Sequence, residues 1–203
     1  MCWNAKYALF VSFFPQLVAG PIERSKNLLK QLSIPRKFNL DKARDGLLIM
    51  LWGYFIKLVI ADRCAVLVDT VYLSYQNYEG VQLILANVLF AIQIYCDFMG
   101  YSTIAKGAAC VLGIDLVDNF KQPYFAVSIK DFWRRWHMSL SSWFRDYVYI
   151  PLGGGRCSKC KKYRNLFLTF LVSGLWHGAS LTFVVWGMIH GIYRWGSSLL
   201  YME

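Results

Sequence analysis

Apolar positions in this chain come in long blocks separated by polar stretches. The first block, residues 7–18, is shorter than the roughly 20 residues a helical membrane crossing needs, and Pro15 interrupts it. It reads as the tail of a span or as a re-entrant piece that Ala19-Gly20-Pro21 ends. A polar amphipathic stretch follows, to Asp45. Residues 46–73, interrupted by Lys57 and running across Asp62-Arg63, predict one tilted helix, with the Asp62-Arg63 pair at an interface or facing the bundle interior. Residues 80–98 are a cleaner span. Residues 100–113 hold Gly100, Ser102, Ala105, Gly107, Ala108 and Ala109, small side chains that suit close helix packing in a bilayer. Residues 115–164 contain no span; there Phe120, Trp133, Trp136, Trp143 and Tyr147 mix with Lys and Arg, as in an interfacial layer. Residues 165–200 are predominantly apolar, too long for one straight span and short for two full ones. Gly174, Gly178 and Ser180 at their middle predict a helix break, and the break falls on His177. The expected fold class is all-α: a multi-pass transmembrane helical bundle with re-entrant and interfacial helices, forming one membrane-embedded domain over residues 1–203.

Composition agrees. Of 203 residues, 57% are hydrophobic and 17% charged, against about 45–50% and 25% in soluble domains. The net charge of +10 does not point to nucleic acid, because the basic residues sit between apolar blocks. One cluster runs from Arg24 to Arg44 and the other from Arg156 to Arg164. Both fit cytoplasmic loops facing anionic lipid headgroups. If they share one face, the chain crosses an even number of times between them, and the blocks at 46–73 and 80–98 supply two crossings. The expected location is the cytoplasmic membrane, and no cleavable signal peptide is evident at the N-terminus.

Cys157 and Cys160 form a single CxxC with no second pair or histidine at ligand spacing, so no metal is expected. A reduced, S-acylated cytoplasmic loop accounts for them more simply. Gly153-Gly154-Gly155 lacks a following GK[ST] and reads as a turn after Pro151.

The candidate chemistry lies in two aromatic-flanked histidines. A helix starting near Asn165 places His177 twelve residues along, roughly 18 Å, past the middle of a hydrocarbon core about 30 Å thick. A neutral imidazole there is available as a general base, and acyl transfer would also need donors near the developing oxyanion. Trp176, through its indole N–H, and the backbone around Gly178 are the candidates. The competing reading of His177 is a core histidine hydrogen-bonded across helices, and on the residues alone the two readings stand level. His190 reads as structural. His137, after Arg134-Arg135-Trp136, reads on its own as part of an aromatic-basic patch on lipid phosphates. Arg134 and Arg135 suit either headgroups or the phosphates of an anionic donor, and Arg145-Asp146 reads as a local ion pair.

Three motifs change that balance: YCDFMGYSTIAKG, NFKQPYFAVSIKDFWRRWHMSLSSWFRDYVYIPLGG and LWHGASLTFVVWGMIHG. Together with FFPQLVAGPIERSKNLLKQL near the start, they resemble the membrane-bound O-acyltransferase family. The match is to its bacterial branch of alginate O-acetyltransferase and teichoic acid D-alanyl transfer. The resemblance covers nearly the whole chain. It implies transfer of an acyl group, acetyl by the closeness of the match over residues 133–154, from an acyl-CoA or acyl-carrier thioester to a hydroxyl of an envelope polysaccharide. No tightly bound cofactor is implied; a partner acetyltransferase is a further expectation. The family's membrane-embedded catalytic histidine maps to His177 and its second histidine to His137. Arg134, Arg135, Trp136, Arg145 and Trp176 are the expected donor- and substrate-binding residues. Members of the family are longer, so a fragment or shortened relative is expected. The readings from other classes are a catalytically silent membrane scaffold and a small transporter, the latter lacking an internal repeat of the 165–200 pattern.

Overall fold

The computed structural model describes residues 3–17 and 20–200; Val18 and Ala19, the end of the first apolar block and the first residue of its stop, lie outside the described residues. Every regular element among the described residues is helical. By contacts, the chain read above as one domain groups into two compact units, Met1–Asp118 and Asn119–Glu203.

In the first unit, α1 (Trp3–Val11) stops before Pro15, which opens a short turn at Phe14–Gln16. Helix α2 (Ser25–Leu32) is amphipathic and buries Leu28 against Phe13, Ala109, Ile114 and Leu116. Helix α3 (Leu40–Tyr54) starts six residues before the apolar block, because the Asn39 side chain caps it by accepting the Lys42 N–H at 3.0 Å. It passes through a π-helical segment, Phe55–Ala61, into α4 (Asp62–Leu73). The single helix expected over 46–73 is therefore a continuous helical run, widened in the middle. Asp62 and Arg63 are exposed at the start of α4.

Helix α5 (Gly80–Val111) joins two segments that the pattern separated at Gly100. It is the one helix among the described residues long and apolar enough to cross a membrane. Gly100 does not break it, because the small residues serve packing. Gly53 lies against Gly100, and seven residues away Gly46 lies against Gly107, so α3 and α5 run antiparallel at very close approach. A Cβ on Gly53 would sit 2.9 Å from the Gly100 carbonyl oxygen, and one on Gly107 only 2.6 Å from that of Gly46. Any larger residue at these points forces the backbones apart. Lys57, in the π segment, forms an ion pair with Asp97 of α5, so these two charges offset each other within the hairpin.

The second unit carries the interfacial layer and the last apolar block. Helix α6 (Ile129–Arg135) is capped by Ser128 Oγ, which accepts the Asp131 N–H at 3.1 Å. Helix α7 (Met138–Phe144) follows and widens into a π segment at Arg145–Tyr149. At seven residues each, both helices are far too short to span a bilayer. The chain then turns at Gly153 and Gly154, both at positive φ, as the glycine run predicts. Asn165, fully buried, fastens that turn by donating Nδ2–H to the Gly154 carbonyl at 3.3 Å.

Helix α8 (Lys159–His177) begins six residues earlier than expected, so Lys159, Lys161, Lys162 and Arg164 ride on its first turns instead of a loop. It ends on His177. Residues 178–180 are the break, and α9 (Leu181–Leu200) restarts after them. The two helices return antiparallel on small-residue contacts: Gly174 lies against the Phe183 carbonyl, and a Cβ on Gly187 would meet that of Phe170 at 2.6 Å.

Candidate active site

The candidate site lies wholly within the second unit. His177 is the last residue of α8 and is exposed. Its Nδ1 lies 2.6 Å from the Ser173 carbonyl oxygen, one turn back on its own helix. A carbonyl oxygen only accepts, so Nδ1 carries the proton and Nε2 the lone pair. The ring is thus held by its own helix rather than across helices. Around it stand three aromatic rings: Trp176 edge-on at 5.2 Å between centroids, Trp186 at 5.1 Å and Phe183 near-parallel at 6.4 Å. Trp176 is itself 55% exposed and touches Phe144 edge-on at 6.2 Å.

His137 stands between α6 and α7 in the left-handed backbone region, at φ 44°, ψ 54°. Histidine is among the few non-glycine residues that visit this region, at a cost of order 1–3 kcal/mol that the surroundings must cover. Here they do. The Met138 N–H donates to the Asn119 carbonyl at 2.8 Å, and the Asn119 Oδ1 accepts from Ser139 Oγ at 2.5 Å and from His137 Nδ1 at 3.3 Å. His137 is 8% exposed, and this burial, with the His177 ring acting in the same direction, pushes its pKa down to about 4. It is neutral at physiological pH. The electrostatic reach of His177 to His137 ties the two predicted histidines together in space.

The arginines divide. Arg134 is exposed. Arg135 is engaged by Asp131, one turn earlier, at 2.9 Å, and that guanidinium holds the Asp131 carboxyl below the usual carboxylate range. Arg145 pairs with Asp146 at 2.9 Å, the local ion pair the sequence indicates. Trp136 packs inside the aromatic layer, stacked on Phe132 at 5.5 Å and edge-on to Phe120 at 5.1 Å.

His190, which the sequence marked as structural, is half-buried among aromatic rings. Trp186 lies 4.5 Å and Trp133 5.1 Å from it, so Trp186 sits between the His177 and His190 rings. Asn119 is the participant that sequence reading missed: it opens the NFKQPYF motif, but eighteen residues separate it from His137 and no spacing rule links them. Among the described residues, no group of three or more His, Cys, Asp or Glu side chains is placed to hold a metal, and Cys157 instead donates to the Gly154 carbonyl at 3.4 Å.

A helical chain with an apolar hairpin, an aromatic-basic layer and a histidine at a helix break belongs to the MBOAT, membrane-bound O-acyltransferase family, whose pattern it matches over residues 3–201. Among relatives, it is 46% identical over 187 residues to the probable alginate O-acetylase of Pseudomonas putida, covering 92% of this chain and 38% of that one. It is 44% identical over 188 residues to the peptidoglycan O-acetyltransferase of Helicobacter pylori, covering 92% and 36%. To the teichoic acid D-alanyltransferase of Bacillus subtilis it is 31% identical over 197 residues, covering 90% and 49%. The chain therefore spans between a third and a half of the length of these relatives.

Proposed function

We propose that this chain is the histidine-bearing part of a multi-pass O-acyltransferase of the cytoplasmic membrane. It moves an acetyl group from a thioester, acyl-CoA or an acyl carrier, to a hydroxyl of an envelope polysaccharide. Acetyl is favoured because the relatives at 44–46% identity are named for acetyl transfer and the D-alanyl relatives stand at 29–31%. The observation that carries the reading is the tautomer of His177. With Nδ1–H given to the Ser173 carbonyl, Nε2 is the basic nitrogen, on an exposed ring.

The chemistry follows from that geometry. The acceptor hydroxyl attacks the thioester carbonyl while His177 Nε2 takes its proton. The tetrahedral oxyanion is met by nearby donors, the Trp176 indole N–H being the foremost candidate. Collapse breaks the C–S bond, and the departing thiolate takes the proton back from the imidazolium. Arg134, exposed beside the aromatic layer, suits the phosphates of the donor. His137 assists as a neutral ring.

The test is transfer from radiolabelled acetyl-CoA to alginate oligosaccharides by membranes bearing the protein. His177→Ala should lose on the order of 10²–10⁴-fold in rate, and His137→Ala less. Equal transfer by the parent and His177→Ala would remove the base, and no transfer by either would favour a silent scaffold.

A further inference from the structure

Three buried polar residues meet at the start of the second unit: two bonds between them converge on the side chain of one, and its backbone carbonyl takes a third from Met138. Asn119 is 3% exposed, Ser139 3% and His137 8%. The Asn119 carbonyl takes the Met138 N–H at 2.8 Å and fixes the backbone on the far side of His137. Its Oδ1 takes the Ser139 hydroxyl at 2.5 Å and the His137 Nδ1 at 3.3 Å. An amide oxygen only accepts, so His137 carries its proton on Nδ1 and its lone pair on Nε2. That matches the tautomer the Ser173 carbonyl sets in His177. A buried amide spent on one imidazole costs desolvation unless each of its groups is satisfied, and this one is tied at both its backbone and its side chain.

We infer that Asn119 is a positioning residue for His137: it holds the ring in the Nδ1–H tautomer, within the left-handed turn, so that Nε2 serves the reaction. This rests on the acyltransfer reading above and adds to it the residue that sets the second histidine. The amide acts only through His137 and touches neither donor nor acceptor.

The experiment uses the full chain in lipid nanodiscs, with acetyl-CoA and alginate oligosaccharides as probes and isotope-labelled histidine for ring NMR. Asn119→Leu keeps the backbone carbonyl and removes Oδ1. It should move the His137 proton off Nδ1 and cost on the order of 10–100-fold in rate, the scale of partners that fix an imidazole's tautomer. On a His137→Ala background it should cost little more, because both changes remove the same thing. Asn119→Asp guards against a folding defect, since it keeps an oxygen at the same place. It should retain the Nδ1–H tautomer, and its negative charge should favour the imidazolium, moving the acid limb of the pH-rate profile to higher pH. The titratable neighbour whose charge reaches His137 is His177, so that limb is read also on His177→Gln for residual transfer. An unchanged tautomer in Asn119→Leu would overturn the inference. So would an equal loss from Asn119→Leu with and without His137. Absence of any transfer by the parent protein would instead strike the acyltransfer reading and leave the tautomer result standing.

Discussion

Removing the titration of His137 should make the protein less sensitive to acid, by an amount the structure sets. The ring is 8% exposed, and burial first, then the His177 charge, holds its pKa at about 4 against 6.5 in the unfolded chain. As pH falls through 6.5 the unfolded chain takes up a proton that the folded ring refuses until about 4. Between those values the unfolded state binds more protons, so stability falls with falling pH; the penalty is absent above 6.5 and complete below 4. A gap of roughly 2.5 pH units at 1.36 kcal/mol each amounts to about 3 kcal/mol. His137→Asn is the informative substitution, because asparagine also tolerates φ 44° and the left-handed turn survives. The assay is thermal unfolding of the purified protein in nanodiscs, followed by tryptophan fluorescence, at intervals from pH 7.5 to 4. Relative to His137→Asn, the parent should lose about 3 kcal/mol across that range. Acid-labile groups elsewhere cancel in the difference. Parallel loss in the two proteins would refute the claim that burial keeps this ring neutral.

Two further predictions concern the hairpin of the first unit. Lys57→Ala should destabilise it by about 2.5–3.5 kcal/mol, the scale of an unpaired charge at membrane depth, and the exchange of Lys57 with Asp97 should recover most of that in SDS-titration unfolding. Failure of the exchange to recover stability would show the pair to be incidental. Gly107→Leu, whose Cβ would fall 2.6 Å from the Gly46 carbonyl, should cost at least the roughly 1–3 kcal/mol of an overpacked contact. Gly80→Ala, where an added Cβ meets nothing within 4 Å, should be neutral or stabilising in the same titration.

The elements that were legible in the sequence are those whose signal is local. The break at 178–180 was readable from Gly174, Gly178 and Ser180, and the turn at Gly153-Gly154 from the glycine run. What was not legible depended on partners far along the chain. Gly100 reads locally as a packing residue opening its own segment; that one helix runs through it from Gly80, and that Gly53 is what it packs on, depends on another helix. Lys57 reads as an interruption until Asp97 is placed beside it. The early start of α8 was hidden because Lys159–Arg164 resemble loop residues, although straight-chain cations are good helix formers. At the candidate site, the aromatic flanks singled out both histidines, but only the family resemblance lifted them above a structural reading. Asn119 was not legible, since nothing in its neighbourhood announces a bond to a residue eighteen positions on.

The helix break and the basic nitrogen of His177 are one feature seen twice. Because α8 stops at this residue, no further turn of the helix covers the ring, which leaves it exposed in an otherwise apolar block. Because the ring sits at a helix end, it can fold back one turn, and the second lone pair of the Ser173 carbonyl takes its Nδ1 proton. That bond settles which nitrogen is basic. The aromatic rings of Trp176, Phe183 and Trp186 limit where the imidazole can swing. Moving the break by one residue would separate these effects: the ring would lose its carbonyl partner, its exposure or its place at the helix end. The short Gly178–Ser180 interruption thus sets the tautomer and the accessibility of the proposed base together.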